Sequence, residues 1–244
     1  MSISLTSEEL YILRVMRKFQ GKRLSFHEIA SVCRIKFNEM EKYMDKLVLC
    51  GYVYEFKDNP VEFRPGYMYI IPPNKIEEIN DILEKDFKAS VVDIEDIDCL
   101  NADWDDKTFI CMNCMIAYKE NYGMCKKCLG DIADIDTKIL DTILELNRKG
   151  YTTMFCCSGH PSRPTSYTHI VMKGKIIVES VPEDFSIEEF NRGTVYRAPM
   201  LEKRLKKRKI QTLTDEEIEK LEFFVNCDLE NLRKWVRQLP ENKS

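Results

Sequence analysis

Nowhere in the 244 residues does an apolar run approach the ~20 residues that a membrane-spanning helix requires, which argues against a helical membrane protein. The opening stretch MSISLTSEEL lacks the basic and then apolar segments of an export signal, so a cytoplasmic protein is expected. Positive charge is not in surplus either. With 37 Lys and Arg against 41 Asp and Glu the net charge is −4, so any affinity for nucleic acid has to rest on local patches. Internal repeats and low-complexity tracts are missing as well. Histidine is scarce, three in all, and two of the three, His160 and His169, fall in one short segment.

Cysteine, by contrast, is plentiful. In a chain of this length without an export signal, ten cysteines fit reduced thiols or thiolate–metal bonds better than a disulfide framework. Four of them stand in CMNCMIAYKENYGMCKKC, as Cys111, Cys114, Cys125 and Cys128. Each Cys-x-x-Cys loop turns two sulfurs toward one point, and two loops complete a closed tetrahedral Zn2+ site. One such pair alone would suit a redox centre in a strand–helix fold, but two in tandem are better explained by a metal. Nothing nearby points to electron transfer, which favours zinc over iron. Gly123 and Gly130 are expected to relax the backbone where it bends round the ion. The stretch resembles a zinc ribbon. Its Lys119, Lys126 and Lys127 are balanced by Glu120, Asp131 and Asp134, so charge does not choose between nucleic-acid and protein partners.

Ahead of the quartet, Thr6-x-x-Glu9 and Ser25-x-x-Glu28 have the form of capping boxes opening helices. Ile12, Val15, Met16 and Phe19 give the first helix an apolar face, and Phe26, Ile29 and Ala30 the second. Met40, Met44, Leu47 and Val48 give a third, stopped at Gly51. YVYEF (52–56) and YMYII (67–71) then read as a hairpin around KDNPVEFRPG. Helix, helix, helix, hairpin over about residues 5–72 resembles the winged-helix family of helix-turn-helix domains. That resemblance implies DNA binding and transcription regulation, with Lys57 and Arg64 in the wing as phosphate contacts. The third helix itself balances Lys36, Lys42 and Lys46 with Glu39, Glu41 and Asp45, which suits protein docking as well as DNA. A further helix follows, with Ile76, Ile79, Leu83 and Phe87 inward. It serves either a homodimer contact or a cap on its own domain.

DIEDIDCLNADWDD (93–106), with seven acidic residues and no basic one, reads as a linker or an exposed acidic lobe. After the quartet, DTKILDTILELNRKG gives a helix with Ile139, Ile143, Leu144 and Leu146 inward. Strand, loop, strand, a turn at Lys173-Gly174 and another strand follow. The loop concentrates Cys156, Cys157, Ser158, His160 and Arg163, with His169 on the next strand. Three readings stay open. Cys156 or Cys157 joins His160 and His169 in a second metal site; Cys157 and His160 form a nucleophilic pair; or one cysteine is core and Ser158-Gly159-His160-Pro161 merely turns the chain. LNRKGYTTMFCCSGH is similar, at Thr152, Thr153, Cys157, Ser158 and Gly159, to a loop of the wybutosine-synthesis tRNA methyltransferase family. His160 stands where that family has Arg. The segment also resembles one in uncharacterised bacterial and phage proteins.

Toward the end, Thr214-x-x-Glu217 caps a helix whose Ile218, Leu221, Val225, Leu232, Trp235 and Leu239 form a core stripe. Before it, KRLKKRK is the densest positive patch. Lys203, Arg204, Lys206, Lys207, Arg208 and Lys209 are therefore the expected nucleic-acid contacts.

The sequence thus predicts an α+β multi-domain protein: a winged helix with an extra helix (1–90), an acidic linker (91–108), a zinc ribbon (109–131) and a C-terminal α+β domain with a short antiparallel sheet (132–244). The function expected is that of a regulator or adaptor acting on nucleic acid or a nucleic-acid-associated protein complex. An enzyme acting on RNA or a small ligand through Cys157 to His160, and a phage-type inhibitor of a host complex, are the alternatives.

Overall fold

The computed structural model describes residues 4–57, 67–163, 165–174, 180–205 and 213–242. Among them the chain is a mixed α+β protein with seven α-helices and three small antiparallel sheets. None of these helices is long and apolar enough to cross a membrane. The chain divides into two compact units, one formed by Met1–Val91 with Met124–Leu129, the other by Val92–Gly123 with Gly130–Ser244.

In the first unit, α1 (Ser7–Lys18), β1 (Leu24–Ser25), α2 (Phe26–Cys33), α3 (Phe37–Leu49), β2 (Tyr54–Lys57), β3 (Tyr67–Ile70) and α4 (Ile76–Ser90) follow in order. Both expected capping boxes form, with Thr6 and Ser25 accepting from the backbone N–H of Glu9 and Glu28. Glu9 does more than cap. It is buried, and its carboxylate also accepts from the Lys46 ammonium at 2.8 Å, joining the start of α1 to α3. Ile12, Val15, Met16, Ile29, Ala30, Met40, Met44 and Leu47 meet in one core, to which α4 adds Ile79 and Leu83. Gly51 ends α3 in the left-handed region at φ +73°. The sheet runs β1-β3-β2, with Tyr69 inward against the core and Tyr54 and Tyr67 outward.

The second unit begins with β4 (Val91–Val92) at its boundary and contains β5 (Lys107–Cys111), β6 (Ile116–Tyr118), β7 (Ala133–Asp136), α5 (Leu140–Arg148), β8 (Thr153–Cys157) and β9 (His169–Lys173). It continues with β10 (Ser186–Phe190), β11 (Gly193–Arg197), α6 (Leu201–Arg204) and α7 (Asp215–Gln238). The sheets are ordered β4-β6-β5-β7 and β10-β11-β9-β8. The turn expected at Lys173-Gly174 has Gly174 at φ +80°, whereas the strand expected straight after it falls at residues 175–179, outside the described residues. β10 and β11, unforeseen in the sequence, complete that sheet.

The predicted stripe of α7 lies in the core: Leu221, Val225, Leu232 and Trp235 are buried together with Leu229 and Val236. Trp235 packs against Tyr196 with tilted rings whose centres are 4.9 Å apart, and donates its indole N–H to the Ser180 carbonyl at 2.9 Å. At the far end of α7 the Lys149 ammonium donates to the carbonyls of Val236, Arg237 and Leu239 at 3.0, 2.9 and 2.7 Å. In the acidic stretch, Ile94, Ile97, Cys99 and Trp104 pack against the same core while the acids between them face out. Lys138 lies over the Trp104 ring at 4.4 Å.

Candidate metal centre and the Cys156–His160 loop

Cys111 ends β5 and Cys114 lies in the turn to β6; Cys125 and Cys128 occupy a second turn before β7. The four sulfurs lie within 4.8 Å of one another. Each pair is wound the same way. The residue after it, Met115 or Leu129, returns its N–H to the first cysteine's carbonyl, at 2.8 and 2.9 Å. Both residues take left-handed φ, +53° and +64°. Gly123 has positive φ as expected, but Gly130 does not; the left-handed turn falls one residue earlier, on Leu129. Cys125 Sγ accepts the N–H groups of Lys127 and Cys128 at 3.4 Å, which partly neutralise a thiolate. Four convergent sulfurs, backbone donors aimed at one of them and a left-handed close on each loop fit a metal ion held by thiolates.

The second turn is braced within its own unit. Asp86 of α4 takes the Lys126 ammonium at 2.9 Å and the Arg14 guanidinium, and Arg14 also donates to the Lys126 carbonyl at 3.3 Å.

The CCSGH loop runs off β8. Gly159, at φ +86°, is where it turns, and a Cβ there would stand 3.1–3.2 Å from Thr168 and Val225, so the position is fitted to glycine. Cys156 faces the core, and burial pushes its thiol up to about 12. Cys157, His160 and Asp136 form a second cluster whose donor atoms lie within 4.8 Å of one another. Asp136, at the end of β7, was not foreseen in the sequence. It is buried, and its Oδ2 accepts from the Ser158 N–H at 2.7 Å and the Ser158 hydroxyl at 3.1 Å, while its Oδ1 pairs with Lys107 of β5. Burial acts to raise its pKa, yet the Lys107 ammonium, the Ser158 amide and nearby His160 outweigh burial and hold the carboxyl below its ordinary range. His160, 5% exposed, places Nε2 3.7 Å from Asp136 Oδ2 and Nδ1 3.4 Å from Asp105 Oδ1.

His169 pairs across the sheet with Cys157 but is no member of the cluster; burial lowers its pKa, and its Nδ1 lies 3.4 Å from the Tyr167 carbonyl. Arg163 is turned to Asp105 at 2.8 Å. The Cys157 thiol is raised, by burial and by Asp136, against the pull of the Gly159 N–H.

Of the expected cationic contacts, Arg204 forms an ion pair with buried Asp228 at 2.7 Å, and Lys203 is exposed. Lys57 ends β2, and Arg64, Lys206, Lys207, Arg208 and Lys209 lie outside the described residues.

Two cavities open in the first unit. One, of ≈ 590 Å³, is lined by aromatic Phe26, Phe37 and Tyr69 and by acidic Glu41, Asp45 and Glu55. The other, of ≈ 550 Å³, is bordered by Arg14, Arg17, Lys18, Lys126 and Lys127. Comparisons with protein-family models, curated proteins and solved structures found no match.

Proposed function

We propose that the chain is a zinc-containing adaptor, with a winged-helix-like first unit, that acts on nucleic-acid-associated machinery by docking a Lys- or Arg-bearing segment of a partner protein. The observation that carries this reading is the groove beside α3. Glu41 and Asp45 of α3 and Glu55 of β2 line it together with the four aromatic rings of Phe26, Phe37, Tyr67 and Tyr69. Carboxylates there repel phosphate and attract ammonium and guanidinium groups, and the rings offer an apolar anchor and cation–π partners. Phe37 is half exposed, 5.5 Å from Phe26 and 4.7 Å from the His27 ring, so an aromatic shelf stands ready at the groove's mouth. Basic tails are common on proteins that handle nucleic acids, which supports that choice of partner class. The quartet is assigned to zinc on its ligand chemistry: four thiolates in two tight loops leave no coordination position open.

The basic cavity favours a second reading, direct contact with phosphate. Its cations are largely engaged already, Arg14 and Lys126 with Asp86, and Arg17 with Asn80 at 2.8 Å. That leaves Lys18 and Lys127 as its main phosphate contacts and puts this reading behind the first.

Fluorescence anisotropy with two labelled peptides of equal apolar content, one Lys/Arg-rich and one Asp/Glu-rich, tests the proposal. The basic peptide is expected to bind at least about tenfold more tightly, and Glu41→Lys with Asp45→Lys to remove the difference. Equal binding of both peptides sinks it. Retardation of random duplex or tRNA that depends on Lys18 and Lys127 supports the second reading instead.

A further inference from the structure

We propose that Asp136, Cys157 and His160 form a second zinc site, distinct from the cysteine quartet and open at one coordination position. The three side chains bring one oxygen, one sulfur and one nitrogen to a common point within 4.8 Å, from the end of β7 and the end of β8 with its loop. Donors to one tetrahedral zinc stand about 3.5 Å apart, given metal–ligand distances of about 2.0–2.3 Å. The His160 Nε2 to Asp136 Oδ2 separation of 3.7 Å already has that spacing.

The surroundings have the form that metal ligands need. A histidine on zinc presents one nitrogen to the ion and donates from the other to a carboxylate, carbonyl or water, which fixes tautomer and ring angle. His160 turns Nε2 toward Asp136, while Nδ1, buried and without a hydrogen bond, faces Asp105 Oδ1 at 3.4 Å. A small closure would complete the carboxylate–histidine–metal relay. Ligating carboxylates are themselves held by hydrogen bonds. Asp136 has Lys107 on one oxygen and the Ser158 N–H and hydroxyl on the other. Cys157 Sγ accepts the Gly159 N–H at 3.4 Å, the distance at which Cys125 Sγ accepts its two N–H groups in the quartet. One kind of backbone support thus serves a sulfur in each place.

Among the described residues no fourth His, Cys, Asp or Glu joins the trio. Three protein ligands with a vacant vertex is the pattern of zinc sites that take water or an incoming oxygen donor. The ligand class follows: a divalent ion of zinc's softness, carrying water or an anionic oxygen in its fourth place.

Zinc content of the full chain, dialysed against excess zinc and then against metal-free buffer, reads the outcome directly. Two equivalents are expected for the native protein, and one for His160→Gln and for Cys157→Ala, with unchanged far-ultraviolet circular dichroism. One equivalent in the native protein, or two retained by both variants, overturns the proposal. Should either variant misfold and lose both ions, cobalt titration of the unaltered chain decides. A second equivalent that adds a thiolate-to-cobalt band from one sulfur, against four for the first, supports the site. A second equivalent that adds none overturns it.

Discussion

Asp228 lies on α7 with almost no exposure, and one of its oxygens, Oδ2, has no hydrogen-bond partner while the other meets Arg204. Burial and neighbouring Asp184 raise its pKa from 3.8 to about 6, against the opposing pull of Arg204. The folded chain therefore holds this proton up to about pH 6, whereas the unfolded chain releases it near 3.8. Between those values the folded state binds more protons, so this group's contribution to stability falls as pH rises through the window and stays low above it. Asp228→Asn removes the dependence: relative to the unaltered chain, the variant should be less stable near pH 4 than it is near pH 7. Urea denaturation at both pH values checks this, and parallel profiles refute it. No pattern in the sequence marks Asp228 or Asp136 as buried, because each stands among ordinary surface acids and its burial is decided by elements distant in the chain. Cys157 and His160 were visible as chemistry; the carboxylate that joins them was not.

At the scale of elements, the two cysteine turns close on residues with a Cβ in the left-handed region, a conformation that costs about 1 kcal/mol outside glycine. Met115→Gly should relieve it and raise the stability of the metal-loaded protein by about 1 kcal/mol, whereas Met115→Ala should not. Thermal unfolding of the two variants separates them, and an equal shift in both defeats the idea. Thr214→Ala opens the capping box of α7 and should cost about 1 kcal/mol, read in the same experiment. The capping boxes of α1, α2 and α7 and the apolar stripes of α1, α2, α3 and α7 were legible because local spacing dictates them. β10 was not, since all five residues of SIEEF are exposed and no buried face imposes an alternation of two. Likewise, the spacing of acids in DIEDIDCLNADWDD hides the fact that Ile94, Ile97 and Trp104 turn inward together.

For the molecule as a whole, the mixed α+β class was legible and so was the convergence of the four sulfurs; the order of strands within each sheet was not, as register depends on partners far along the chain. Between residues 107 and 136 the buried apolar side chains besides cysteine are Ile110, Ala117, Tyr118, Ile132 and Ile135, and of these Ile110 and Ile135 belong to the main core of the second unit. The two cysteine turns themselves, with only Ala117, Tyr118 and Ile132 buried beside them, have too little apolar burial to hold their shape without an ion between the sulfurs. Chelation should therefore raise amide hydrogen exchange across residues 111–129 while β7 and α7 keep their protection. Mass-spectrometric exchange with and without chelator measures this, and identical maps rule it out.

Lys149 gives that same helix a vulnerable fastening. Three backbone oxygens at its exit share one ammonium, and Asn242 returns its N–H to the Lys149 carbonyl at 2.7 Å. Lys149→Met would remove the charge and all three donors together while keeping the length of the side chain. Without those bonds the exit of the helix would fray and residues 240–242 would lose their tether.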